Sequence, residues 1–269
     1  MDLPAVQLVL FAGGAGRRLG PCAPPKPLLA PCGVPLIDLQ IAYALVAGFR
    51  EFTVLLGHGA DEVRDHVLRS FPELAGRVRF HVDEWDAAER PYGTGRALWS
   101  AMRDGVVDAE RPALTLFCDD FYASARYVHD VVRAYERGWR RGSLLAVVLA
   151  HPGVELPYGV VHSWRGHFNE KPQLGILVAA GMYLLTPLAL RLLRETLSRE
   201  EYYSIPGEVS FEKYLLEPFS RQYRVEPVTM RAGDWLAVND WKSAHRLCNW
   251  LRTCDWLPHP SEPSAQSAH

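Results

Sequence analysis

"VQLVLFAGGAGRRL" occupies residues 6–19, and "APPKPLLAPCGVPLID" follows at 23–38. An unbroken apolar run over 6–12, stopped by glycine, reads as a strand buried on both faces. Gly13-Gly14-Ala15-Gly16 then leaves backbone N–H groups unobstructed by side chains. Such groups can cradle phosphate oxygens, although glycine serves any tight turn equally well. The spacing is neither GxGxxG nor GxxxxGK[ST], which disfavours a dinucleotide fingerprint and a P-loop. Arg17 and Arg18 follow directly, Lys26 stands between Pro25 and Pro27, and no acidic residue lies between Val6 and Ile37. Three cations beside a phosphate-sized loop suit a triphosphate. A solvated basic loop is the alternative reading of the same residues.

Outward from this stretch the pattern alternates. "PLIDLQIAYALVAG" (35–48) has helical spacing and closes on Gly48. "EFTVLLG" (51–57), "RVRFHVD" (77–83) and "PALTLFCDD" (112–120) read as strands. "ADEVRDHVLRSF" (60–71) and "GTGRALWSAMRDG" (93–105) read as the helices between them. This β-α-β-α order predicts an α/β protein with a Rossmann-like, doubly wound sheet, mainly parallel and flanked by helices. Beyond residue 143 "SLLAVVLAH", "YGVVHSW", "HFNEKP" and "LVAAGMYLLTP" suggest short strands, making the sheet mixed. "PLALRLLRETLSREE", "SFEKYLLEPFSR" and "WKSAHRLCNWLRTCDW" suggest helices. The tail "PHPSEPSAQSAH" (258–269) lacks apolar periodicity and is expected to be disordered.

Composition excludes several classes. Of 269 residues, 48% are hydrophobic and 22% charged, enough for a sizeable core. Lys+Arg 29 against Asp+Glu 31 gives no net basic surface, so no nucleic-acid partner is expected. No apolar run approaches membrane-spanning length and the N-terminus lacks a basic leader, so no membrane partner is expected either. Cys22, Cys32, Cys118, Cys248 and Cys254 are odd in number without a CxxC pair. Zinc or disulfides are therefore not expected, and free thiols in a cytoplasmic protein are. The histidines form no HxxxH or HExxH pair, and Ser124 and Ser204 lack a GxSxG context.

"AGGAGRRL…PKPLL" resembles the signature of sugar-1-phosphate nucleotidylyltransferases, in which GGxG-[ST]-RL precedes a PKP-type lysine. Arg17 replaces the usual hydroxyl residue. "ERPYGTGRAL" (89–98), "LTLFCDD", "FNEKP", "AAGMYLLTP" and "SFEKYLLEPF" resemble further segments of that family, in the family's order. The resemblance implies a single catalytic domain over 1–257, with a nucleotide-binding half to about 142 and a sugar-phosphate half from 143. It implies Arg18 at the β- and γ-phosphates and Lys26 at the α-phosphate. Ala12, Gly13, Gly14 and Gly16 with Glu89, Gly93 and Thr94 are implied as nucleotide-binding. Gly159, Glu170 and Lys171 are implied for the sugar phosphate, and Asp120 for Mg²⁺.

The second metal ligand departs from the family. Relatives with WxDxGTP carry an aspartate where "WLAVNDWKSA" has Ala237, leaving Asn239 first and Asp240 second. Asn239-Asp240 could equally cap the helix beginning at Trp241. At the base-reading loop Ala88 replaces the glutamine of uridylyl- and thymidylyl-transferring relatives. Glu89 beside it could accept from guanine N1–H and N2–H₂, a lean towards GTP. The expected reaction is Mg²⁺-dependent transfer of a nucleotidyl group from an NTP to a sugar 1-phosphate, releasing pyrophosphate. No protein nucleophile is required, so positioning and charge carry it. Lys26→Ala is then expected to cost turnover while barely altering stability, as at an exposed loop site. Two rivals stay open: a CTP-dependent enzyme acting on a sugar phosphate, phosphocholine or a phosphonate, and a silent relative that binds a nucleotide sugar as a regulator. The C-terminal helix could pair two copies as a homodimer.

Overall fold

β1 (Gln7–Ala12) is buried at every position, as an unbroken apolar run requires, and hydrogen-bonds to a strand on each side. The computed structural model describes residues 5–14, 16, 18, 20, 24–83, 92–155, 159–162, 166–199 and 207–257. Arg17, Glu89 and the 258–269 tail lie outside the described residues.

The chain runs β1, α1 (Leu36–Val46), β2 (Phe52–Leu56), α2 (Ala60–Ser70), β3 (Val78–Val82), α3 (Thr94–Arg103), β4 (Ala113–Phe117), β5 (Asp120–Tyr122) and α4 (Arg126–Gly138). It continues with β6 (Leu144–Glu155), β7 (Val160–His162), β8 (His167–Asn169), β9 (Gln173–Leu185) and α5 (Pro187–Leu197). A π-helical turn (Glu212–Leu216), β10 (Arg224–Thr229), β11 (Trp235–Ala237) and α6 (Trp241–Trp250) complete it. The main sheet has seven strands in the order β10-β6-β9-β4-β1-β2-β3. β1 pairs in parallel with β2 and β4, and β2 with β3, while β9 runs antiparallel to both β4 and β6. The expected mixed, mainly parallel, doubly wound sheet is the observed fold.

Period-two alternation along β1 divides the core between two faces. Leu8, Leu10 and Ala12 pack with α1 and α4, whereas Val9 and Phe11 pack with Leu98 and Trp99 of α3 and Leu190 and Leu193 of α5. Each such aliphatic side chain contributes roughly 1.5–3 kcal/mol of burial, so the C-terminal ends of these strands sit on a rigid base.

Several elements escape a reading of the sequence. α4 buries Tyr127, Val128, Val131 and Val132, an i, i+1, i+4, i+5 stripe that carries a helical signal. β6 and β9 span 12 and 13 residues, longer than the short strands expected, because they continue past the sheet as a two-stranded arm. β10 and β11 are short and half exposed, so no apolar run announces them.

The expectation of free thiols fails at one pair. Cys32 and Cys248 form a disulfide, with Cα atoms 5.3 Å apart, while Cys118 and Cys254 are free and buried. A sequence separation of 216 residues hides such a pairing from any local pattern. Among the described residues no helix is long and apolar enough to cross a membrane.

Candidate active site

From β1 the chain winds outward through β2 to β3, then returns to place β4 on the other side of β1. Loops leaving the carboxyl ends of β1 and β4 therefore diverge, and the crevice between them is where open α/β sheets bind ligands. A cavity of about 510 Å³ opens there. It is lined by Gly13, Gly14, Gly16, Arg18 and Lys26 of the segment after β1, by Leu55, Leu56 and the adjoining Gly57 of β2 and its loop, and by Asp83 after β3. Cys118, Asp119 and Asn239 line it beside β4, and Tyr92, Gly93, Thr94 and Glu208 beside α3. Residues from the whole length of the chain thus share one ligand-sized space.

The glycine loop is held by a close backbone approach. Gly13 brings no side chain into the gap, and a Cβ there would stand 3.1 Å from the Gly57 nitrogen. A Cβ on Gly57 would stand 2.9 Å from the Gly13 oxygen, so neither position tolerates one without movement. The His58 N–H donates to the Gly13 oxygen at 3.3 Å, fixing the first loop against the second. Ala12, the last residue of β1, is buried beneath the loop and does not line the cavity. Gly57 is a site residue that sequence reasoning misses, although a glycine ending the strand after a glycine loop is a readable signal.

Lys26 corrects a second expectation. It lies in the short helical turn Lys26–Leu28, is only 9% exposed, and its ammonium pairs with the Asp119 carboxylate. The site is therefore a largely buried ion pair, with Lys26 buried and Asp119 partly so, rather than an exposed loop. Arg18 is exposed and faces the cavity, on the same side as the glycines.

Asp120 is positioned by four elements. Its Oδ1 accepts the Trp235 indole N–H at 2.8 Å, and its backbone oxygen accepts from the Gln40 side chain on α1. Strand β11 pairs antiparallel with β5, setting Ala237 opposite Asp120, and the Val238 N–H donates to the Asp119 oxygen at 2.7 Å. Its Oδ2 occupies space that a Cβ on Gly181 would fill, and Gly181 has φ +76°, a conformation L side chains rarely adopt. Burial, then the neighbouring Asp119 charge, pushes the Asp120 carboxyl well above the usual carboxylate range. Two adjacent carboxylates against the single Lys26 ammonium leave negative charge uncompensated.

The two candidates for a second metal ligand separate. The Asp240 carboxylate caps α6: its Oδ1 accepts from the Ser243 N–H at 2.7 Å, and Ser243 Oγ accepts from the Asp240 N–H at 3.1 Å. That reciprocal capping holds its carboxyl below the usual range. Asn239 instead lines the cavity, its N–H tied to Ser243 Oγ at 3.0 Å.

Thr94 lines the cavity, but its hydroxyl is already used. It accepts the Phe211 N–H at 3.3 Å and donates to Glu212 at 3.4 Å, locking the start of α3 to the π-helical turn. Gly93 is pressed against the Val209 carbonyl beside it. Gly159, Phe168 and Glu170 gather around the β7–β8 hairpin, and Lys171 comes next with φ +43°. None of Gly159, Glu170 and Lys171 lines the cavity.

Asp83, at the end of β3, is a second residue that sequence reasoning misses. It is 8% exposed, and its Oδ1 has no hydrogen-bond partner among the described residues. Arg96 Nε stands 3.6 Å from that oxygen, near enough for charge but not for a well-formed hydrogen bond. Burial raises the Asp83 carboxyl above its usual range despite Arg96. A short strand ending on aspartate at the sheet's carboxyl edge is the signal that could have found it.

The family model for the MobA-like NTP transferase domain matches residues 8–255, and the chain belongs to that family. It is 27% identical over 217 residues to the mannose-1-phosphate guanylyltransferase catalytic subunit beta of Danio rerio, covering 76% of this chain and 56% of that one. It is 29% identical over 212 residues to the mannose-1-phosphate guanylyltransferase regulatory subunit alpha of Homo sapiens, covering 73% and 48%. The chain thus spans about half the length of these relatives. A Bacillus anthracis structure assigned as a glucose-1-phosphate thymidylyltransferase, in complex with sucrose, superposes with a TM-score of 0.65 over 92% of this chain and 95% of that one. At 18% identity that likeness is one of fold.

Proposed function

We propose that this member of the MobA-like NTP transferase family transfers the nucleotidyl group of GTP to a sugar 1-phosphate, releasing pyrophosphate. The observation that carries the reading is the cavity at the β1/β4 switch point, where the glycine loop, Arg18, Lys26, Asp119 and Asn239 converge. In this reading the amides after β1 and the Arg18 guanidinium bind the β- and γ-phosphates. Lys26 stands at the α-phosphate, released from Asp119 or shared with it, and stabilises the charge gained when the acceptor oxygen attacks. No side chain needs to act as nucleophile, because the sugar phosphate brings its own.

The donor set suits a hard divalent cation. Asp120 with Asn239 offers oxygen ligands, the excess negative charge beside Lys26 favours a cation, and phosphate oxygens would complete the shell. Among the described residues no cluster of three or more His, Cys, Asp or Glu competes as a protein-only site. Mg²⁺ bound there would neutralise phosphate charge. Asp120, beside the cavity rather than in its lining, would be the anchoring ligand, its carboxylate fixed by Trp235 and Gly181; Asp240 serves the helix cap instead.

Guanine is favoured by Asp83. The buried Asp83 carboxylate, whose Oδ1 has no hydrogen-bond partner among the described residues, complements a base edge carrying two adjacent donors, N1–H and N2–H₂, and guanine is the common base that has them. Glu89, the carboxylate that the sequence offers for this role, lies outside the described residues, and Asp83 takes the role here. Glu170 and Lys171 are assigned to the acceptor sugar phosphate, on the arm beside the cleft.

The test is Mg²⁺-dependent pyrophosphate release, with ATP, GTP, CTP, UTP and dTTP each crossed against several sugar 1-phosphates and phosphocholine. Release with GTP and one sugar 1-phosphate is expected, and release confined to CTP or phosphocholine would overturn the assignment. A regulatory reading is favoured by one observation, the similarity to a subunit named as regulatory. Tight binding of a GDP-sugar with no turnover across the grid would identify it.

A further inference from the structure

Cys32 and Cys248 tie together two segments that each carry a cavity-lining residue elsewhere along them, Lys26 on one and Asn239 on the other. Cys32 lies beyond the Lys26–Leu28 turn in the loop that leads into α1, and Cys248 lies towards the C-terminal end of α6, the helix that Asp240 caps and Asn239 precedes. Their Cα separation of 5.3 Å is one that a disulfide spans without backbone movement. α6 fully buries only Ala244 and Leu247, so packing anchors it lightly. Pro31, next to Cys32, also meets Cys248, its oxygen 3.4 Å from the sulfur. A covalent tie at this point holds the Lys26 segment and the Asn239 segment in one geometry.

The two other described cysteines differ in kind. Cys118 and Cys254 are buried, and burial pushes the Cys254 thiol up to about 12 and the Cys118 thiol higher still. Such thiols are inert towards exchange. Cys32 and Cys248 are only partly buried, so small thiols can reach them.

We propose that Cys32–Cys248 is a reversible modification site, reacting with low-molecular-weight disulfides and thiols, whose oxidation locks the segment carrying Lys26 to the segment carrying Asn239. In the oxidising direction one cysteine thiolate attacks glutathione disulfide and expels one glutathione thiolate. The second cysteine thiolate then attacks the mixed disulfide and expels the other. Two protein thiols lose two protons and two electrons, and glutathione disulfide gains the electrons as two thiols. A dithiol reductant reverses both steps. The functional consequence rests on the reading that Lys26 and Asn239 belong to the nucleotide cleft; the tether itself does not.

The experiment compares the full chain oxidised with glutathione disulfide and reduced with dithiothreitol. Peptide mapping is expected to find Cys32 and Cys248 linked only after oxidation. Amide hydrogen exchange over residues 26–36 and 239–250 is expected to slow by about tenfold in the linked form. Cys248→Ser should behave as the reduced protein under both conditions. No linked peptide after oxidation, or equal exchange in the two forms, would overturn the proposal. Mg²⁺·GTP is expected to bind about fivefold more tightly to the linked form, a coupling of ordinary size. Equal affinity would overturn the coupling, whereas no binding by either form alongside the exchange difference would strike the nucleotide reading and leave the tether standing.

Discussion

Replacing Asp83 by Asn changes one atom type in the lining of the cavity and tests the choice of base directly. In the proposed reading, with GTP as the donor, the carboxylate would accept from N1–H and N2–H₂ of guanine. Hydrogen bonds to a charged group contribute about 1.5–3 kcal/mol each, more so where water is excluded, and Asp83 is 8% exposed. Asn keeps one acceptor but turns an amide donor towards N2–H₂. The variant loses one charged bond and gains an unsatisfied donor pair, a cost of roughly 2–4 kcal/mol, or about 30- to 1000-fold. Xanthine presents N1–H beside a C2 carbonyl, which matches the Asn oxygen and amide in turn and repels a carboxylate. Asp83→Asn should therefore lower kcat/KM for GTP by about 10²-fold and raise it for xanthosine triphosphate by a similar factor. Saturated kcat should change little, because the base is remote from the reacting phosphorus. Protonation acts in the same sense as the substitution. The Asp83 carboxyl lies above its usual range, so wild-type affinity for GTP should fall as pH drops through that raised value. Initial rates of pyrophosphate release at several nucleotide concentrations measure all of this, with thermal melts confirming that the variant folds. GTP efficiency kept within about threefold, well inside the cost expected for a charged bond, would refute the assignment, as would an equal fall for both nucleotides.

Lys26→Ala should reduce kcat by about 10²–10³-fold, the usual cost of removing a charge-stabilising group. It should also destabilise by about 1–3 kcal/mol, because Asp119 is left beside Asp120 without its ammonium; a melt unchanged by the substitution would count against the buried pair. Asp120→Asn should abolish most turnover yet raise the melting temperature of the ligand-free protein by about 2–4 °C for each kcal/mol of repulsion relieved. A carboxyl whose folded pKa is raised stabilises fully below its unfolded value, and that stability is lost as pH rises through the folded value. The advantage of Asp120→Asn should accordingly grow as pH rises through that raised value, and scanning calorimetry across the acid-to-neutral range checks the sign. Gly181→Ala places a Cβ against Asp120 Oδ2 at φ +76°. The left-handed backbone alone costs about 1–2 kcal/mol, and displacement of the carboxylate should lower turnover beyond the loss in stability, read as kcat against melting temperature.

Much of this protein is legible in its sequence. The run "VQLVLFA" ending on glycines and the regular alternation to residue 120 identify the sheet type, and the glycines with basic residues 17, 18 and 26 mark the loop proposed for phosphate. These signals are local: apolar periodicity, a glycine where no side chain fits, and charge without neighbouring acid. Capping is local too, since Asp240 and Ser243 lie three residues apart, and the sequence already offers the helix cap as an alternative to metal binding there. What tertiary structure decided has no local trace. Trp235 meets Asp120 across 115 residues, Cys32 meets Cys248 across 216, and the buried Lys26 finds its partner in Asp119, beyond the end of β4. Asp83 belongs to the cavity because β3 sits two strands from β1, an order that hydrogen-bonded pairing establishes. A sequence specifies each segment's preferred period and turns, whereas the distance between remote side chains depends on which strands pair and which faces pack. That is why the amino-acid order alone announced a glycine-rich, basic loop after β1, and only the folded sheet determined which carboxylates and amides stand around it.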